Sequence, residues 1–155
     1  SYEVHGLRVS SSVVREALVA GDMIQVERLL GRPYTISGHV IHGAKLGRTL
    51  GFPTANMVLG DYVRPAYGVY AVQVVLPSGE RVDGVANLGI RPMIEPRLEL
   101  LETWLMDWSG DLYGQTLDVE LVAYLRPEMK LNGLEALKAQ IAADANAARR
   151  ILKGG

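Results

Sequence analysis

From Tyr34 to Leu125 the sequence runs in short strand-like segments, and no stretch of helical spacing interrupts them. A parallel sheet needs a helical crossover between successive strands, so that architecture is excluded and an antiparallel barrel or sandwich is expected. "YTISGHVIHG" alternates, and "YGVYAVQVVLPSGERVDGVANLG" reads as two strands joined by the Pro77–Ser78–Gly79 turn. "LELLETWLMDW" is a further strand. "GDLYGQTLDVELVAYL" supplies a turn and a last strand, with Leu117, Val119, Leu121, Ala123 and Leu125 expected on one core-facing side.

Helical periods flank this region. Val13, Val14, Ala17 and Leu18 follow a serine cap candidate and stop at Gly21. Asp22 is placed to cap a second helix carrying Ile24, Leu29 and Leu30, which Gly31 and Pro33 end. After the strands, Asn132 and Glu135 form a capping-box-like start to a helix with Leu134, Leu137, Ile141, Ala145, Ala148 and Ile151 as its apolar stripe. The expected organisation is a helical segment over residues 1–31, then a β domain over 32–155 with a closing helix.

Composition bounds the function. The 155 residues suffice for one domain with a sizeable core, and 48% hydrophobic with 21% charged content is ordinary for a globular protein. A net charge of −1 and dispersed Lys and Arg speak against a nucleic-acid face, and Phe52 is the only phenylalanine available for base stacking. Cysteine is absent, which removes disulfides, thiolate metal sites and a cysteine nucleophile. Apolar runs stay far short of the roughly 20 residues that span a bilayer. A cytoplasmic, monomeric domain without membrane partners is expected. The chain opens on Ser1 without an initiator methionine, so it reads as a processed or excised product.

"GAKLGRTLGFPTAN", Gly43 to Asn56, is the segment richest in chemistry. Gly43, Gly47 and Gly51 allow close backbone approach to a ligand, and Lys45 and Arg48 add positive charge suited to phosphate oxygens. A solvated hairpin is the alternative. The pattern G-x-x-x-x-G-K-[ST] is not met, because the spacing is one residue short and Pro53 stands where a helix must begin. Pro53 restrains the backbone before Thr54, and the oxygens of Thr54 and Asn56 are hard, neutral donors of the kind Mg²⁺ prefers. An Asn-anchored turn accounts for the same residues without a metal. In "LELLETWLMDW", alternation puts Glu102 on the face of Leu100, Trp104 and Met106, either as a rim residue facing water or as a placed acid. His39 and His42 fall on opposite faces of a strand and do not make a metal pair.

"LLGRPYTISGHVIHGAKLGRTLGFPTAN", "YGVYAV", "GVANLGIRP", "LETWLMDWSGDLYG" and "LRPE" follow one another as in riboflavin kinases. From about Gly31 onward the chain resembles the kinase module of bacterial bifunctional riboflavin kinase/FMN adenylyltransferases (FAD synthetases). The resemblance implies a six-stranded antiparallel Greek-key barrel that uses ATP and Mg²⁺ to convert riboflavin to FMN, releasing ADP. It implies that Gly43, Lys45, Gly47, Arg48 and Gly51 cover the nucleotide phosphates, that Thr54 and Asn56 hold metal and phosphate, and that Glu102 is the catalytic base. It places Asn87, Arg91 and Met93, in a loop after a strand, around the flavin, with Trp104 beside them. Arg91 in a surface ion pair is the alternative. Trp104 stands where many relatives carry histidine, and Ile90 where many carry threonine. Arg126 and Glu128 in "LRPE" suggest an ion pair. "VSSSVVREAL" resembles the end of an FMN adenylyltransferase module, with Ser12 and Arg15 matching its phosphate-binding run, but the rest of that module is missing, so adenylyl transfer is not expected. A non-catalytic barrel that binds flavin or nucleotide is the competing function.

Overall fold

A computed structural model describes residues 2–4, 7–9, 11–41, 54–60, 62–91 and 98–154. Its centre is a six-stranded antiparallel sheet built from β3 (Tyr34–His39), β4 (Thr54–Val58), β5 (Gly68–Val75), β6 (Arg81–Arg91), β7 (Leu98–Leu105) and β8 (Thr116–Arg126). The strand order is β3-β8-β5-β6-β7-β4. β5, β6 and β7 form a meander, and β8 returns to lie beside β5, which is the Greek-key order. Beyond β3, Ile41 bridges antiparallel to Asn56, its amide donating to the Asn56 carbonyl at 2.8 Å, so the two edges of the curled sheet meet. Closure removes edges that would otherwise template aggregation. Ahead of the barrel, β1 (Tyr2–Val4) and β2 (Leu7–Val9) make a small hairpin that the sequence reading does not contain.

Alternation sorts the strands into two faces. Inward go Ile36, Ala55, Met57, Tyr70, Val72, Val74, Ala86, Leu88, Leu101, Leu117, Val119 and Leu121, all buried. Two helices, α1 (Ser11–Ala20) and α2 (Met23–Leu30), belong to this same core through Val14, Leu18, Met23 and Val26. The Asp22 side chain accepts from the Gln25 amide at 3.1 Å and caps α2, and Gly31 ends it with a left-handed φ of 79°. Ile24, expected inside, is 60% exposed; Met23 and Val26 take the buried positions.

The last strand departs from its expected single core face. Leu121 pairs with Val72 but Ala123 pairs with Ala71, so one extra residue is inserted, and a second irregularity follows before Arg126 pairs with Val69. Each bulge reverses the alternation. Leu117, Val119 and Leu121 point into the barrel, whereas Ala123 and Leu125 pack outside, against the helix α3 (Leu134–Gly154). There Ala145 and Ala148 lie on Val69, Ala71, Val85 and Met106 in a second, smaller core. Leu134 and Ile151, expected in the helix stripe, are exposed, and Leu152 packs instead. The Leu137 amide donates to the Gly133 carbonyl, so Gly133, not Asn132, stands at the N-cap.

Candidate active site

The outer faces of β4, β6 and β7 carry most of the described residues expected to do chemistry. Directly paired residues in an antiparallel sheet share a face. Glu102 pairs with Asn56 on one side and with Asn87 on the other, forming one row across three strands. Strand spacing makes the Asn56–Asn87 span roughly 10 Å, with Glu102 in the middle. Two residues along, Thr54 pairs with Trp104, which pairs in turn with Val85. The alternation of "LELLETWL" produces this arrangement: Leu101, Thr103 and Leu105 fill the barrel, which leaves Glu102 and Trp104 facing out.

These side chains are sheltered. Asn56 is 4% exposed and Glu102 6%. The carbonyl oxygens of Asn56 and Asn87 and the indole N–H of Trp104 are buried without a hydrogen-bond partner among the described residues. Leaving such groups unsatisfied costs on the order of 1–3 kcal/mol each, a cost that ligand atoms would relieve. Beside this row, between the sheet and α3, lies a cavity of about 130 Å³. Its walls include Val69, Val85, Trp104, Leu137 and Ile141, and Asn87 borders it. Apolar walls with a few polar groups suit a flat aromatic ligand. Glu102 thus stands between the Thr54–Asn56 strand and the strand that opens on the cavity.

Other expected positions are distributed as follows. Gly43, Lys45, Gly47, Arg48, Gly51 and Met93 lie outside the described residues, as does His42. Asn87 and Arg91 belong to β6 itself, not to a loop after it, because the strand stays paired with β7 as far as Arg91 opposite Leu98. The expected Arg126–Glu128 pair is replaced by another. Arg126 donates from Nε and Nη2 to both carboxylate oxygens of Asp144 in α3, at 2.9 and 2.8 Å. Glu128 instead lies over Gly89, where a Cβ would come within 2.5 Å of its carboxylate. Asp111 accepts from the Tyr113 amide at 3.0 Å and shapes a turn that Gly114 completes. Among the described residues no group of three acidic or histidine side chains is arranged to chelate a metal.

The sequence reading missed Asp144 and Gln140, both of which border the cavity. Their i, i+4 spacing on one helix was a visible signal, but it did not name the distant arginine they meet.

Comparison with known proteins agrees with this architecture. The flavokinase (riboflavin kinase) family profile matches residues 30–152. The bifunctional riboflavin kinase/FMN adenylyltransferase of Haemophilus influenzae is 49% identical over 149 residues, covering 96% of this chain and 48% of that protein. The chain therefore spans about half the length of the curated relatives it matches. A crystal structure from Streptococcus pneumoniae titled as a macrolide-efflux protein superposes with a TM-score of 0.83 at 33% identity, over 95% of this chain and 48% of that one. Riboflavin kinase from Trypanosoma brucei shares the fold, with a TM-score of 0.56 at 24% identity over 78% of this chain and 80% of that one. No helix among the described residues is long and apolar enough to cross a membrane.

Proposed function

Because the chain belongs to the riboflavin kinase family, we propose that it transfers the γ-phosphoryl group of ATP to the ribityl 5′-hydroxyl of riboflavin, giving FMN and ADP. The observation that carries this reading is the position of Glu102, a buried carboxylate paired across strands with Asn56 on one side and Asn87 on the other. Phosphoryl transfer asks a protein chiefly for positioning and charge neutralisation, with one group to receive the proton of the attacking alcohol. In this reading Glu102 is that group: the hydroxyl oxygen bonds to the γ-phosphorus, its proton passes to the carboxylate, and the bond from γ-phosphorus to the ADP oxygen breaks.

Thr54 and Asn56 would hold Mg²⁺. The residues fit, since the Asn56 carbonyl oxygen is a buried acceptor without a donor among the described residues, and both side chains offer the hard oxygens this cation takes. Bound Mg²⁺ supplies neutralisation of phosphate charge. Gly43, Lys45, Gly47, Arg48 and Gly51 are assigned to the nucleotide phosphates. The isoalloxazine ring is assigned to the cavity, between Val85 and Trp104 of the sheet and Leu137 and Ile141 of the helix, with Asn87 at its polar edge. Arg91 and Met93 are assigned to the same side. Residues 1–31 correspond on this reading to the end of an adenylyltransferase module. A cytoplasmic location belongs to the same proposal, since ATP is its donor, and so does a monomeric state as a separate expectation.

The test is direct. Protein incubated with riboflavin, ATP and Mg²⁺ is expected to yield FMN, separated by chromatography, and chelation of Mg²⁺ is expected to stop the reaction. Riboflavin bound but left unphosphorylated would assign the non-catalytic barrel instead.

A further inference from the structure

Arg126 and Asp144 form a largely buried, bidentate ion pair that the chemistry just described does not use. Their side chains are 19% and 9% exposed, and Gln140 Nε2 donates at 3.0 Å to Asp144 Oδ1, the oxygen that also accepts from Arg126 Nε. All three residues border the cavity. Arg126 pairs with Val69, Val69 with Asn87, and Asn87 with Glu102, so the arginine closes the same cross-strand row that carries the carboxylate. The second irregularity of β8 produces this placement. Without it Leu125, not Arg126, would stand opposite Val69.

The other ion pair of the helix contact is looser: Arg149 reaches Asp107 at 3.5 Å, with the Asp107 side chain 76% exposed. α3 meets the sheet through Ala145 and Ala148, whose short side chains permit close approach but resist sliding poorly. A guanidinium–carboxylate fork fixes both distance and orientation. Leu137 and Ile141, the helix residues that wall the cavity, flank Gln140 and sit within two turns of Asp144.

We infer that Arg126, Asp144 and Gln140 are positioning residues that set the height of α3 over the Glu102 row, and so tune affinity for the flavin and not for the nucleotide. The inference rests on the cavity being the flavin site. Asp144→Ala is expected to raise KM and Kd for riboflavin roughly tenfold, since the cavity wall carried by α3 loses its bidentate anchor. Its KM for ATP should stay within about twofold of wild type, and kcat at saturating riboflavin within about threefold. Arg126→Met/Asp144→Leu, which leaves no orphan charge, is expected to regain thermal stability but keep the weakened riboflavin affinity. A riboflavin Kd within twofold of wild type in either variant, or a parallel rise in KM for ATP, would overturn the clamp. Wild-type protein that binds no riboflavin overturns both this inference and the function it rests on; wild-type turnover with unaltered variants sinks the clamp alone.

Discussion

Two side chains next to Glu102, Asn56 across the strands and Thr103 beside it in sequence, carry buried oxygens with no partner among the described residues, and they ask for different explanations. Asn56 faces outward beside Glu102, so its orphan acceptor belongs to the face where a ligand would bind. Thr103 is 1% exposed, faces the barrel interior and pairs with Ala55, among apolar side chains such as Leu101 and Leu105. A buried hydroxyl without a partner costs free energy that an isosteric methyl does not. Thr103→Val is therefore expected to leave stability unchanged or raise it by about 1 kcal/mol, read from urea denaturation. A loss larger than that would show that the hydroxyl has a partner in solution. At this scale Glu102 and Trp104 were readable as neighbours because alternation along one strand assigns them a common face; Asn56 joins them only through the pairing of β4 with β7. Asp144 was not, because a carboxylate on a helix says nothing about which distant arginine it will meet.

Among the elements, β8 shows most clearly what a linear pattern hides. "LDVELVAYLR" alternates without a glycine or proline to mark an inserted residue, yet the strand bulges twice and changes face. The bulges are dictated by pairing with β5, a long-range contact absent from local sequence. Where the second one falls, Gly68 opens β5 with a φ of 142°, and a Cβ there would meet the Arg126 carbonyl at 2.5 Å. Backbone cannot yield as a flexible side chain can. Gly68→Ala is expected to cost about 2–3 kcal/mol of stability by chemical denaturation. A cost below half that value would mean that β8 can move away freely. By contrast, the Pro77–Ser78–Gly79 hairpin was legible, because turn chemistry is local: Gly79 takes a φ of 91° and its amide donates to the Leu76 carbonyl at 2.8 Å.

For the molecule as a whole, the antiparallel Greek-key barrel followed from uninterrupted strand periods and the family resemblance, while the attachment of its first helices did not. The boundary near Gly31 marks a change of period, yet Val14, Leu18 and Val26 share one core with Ile36, Tyr70 and Leu121. A shared core predicts a single cooperative unfolding transition. Helical circular dichroism and the fluorescence of Trp104 and Trp108 should therefore report the same midpoint; an early loss of helix that persists when the last helix is held by bound ligand would show that the leading segment is only loosely attached. The candidate site was legible to the same degree as the sheet that bears it. Its register across β4, β7 and β6 needed the fold, since three strands distant in sequence supply Asn56, Glu102 and Asn87.

The central claim is that a carboxylate on β7 receives the proton of a flavin alcohol beside a metal-held nucleotide. Steady-state FMN formation by Glu102→Gln, measured with riboflavin and ATP binding on the same preparation, tests it most directly. The substitution keeps the side chain's size while removing its basicity, so kcat should fall roughly 10²–10⁴-fold with both dissociation constants changed by less than about threefold. A variant that makes FMN within a few fold of the wild-type rate would contradict the assignment.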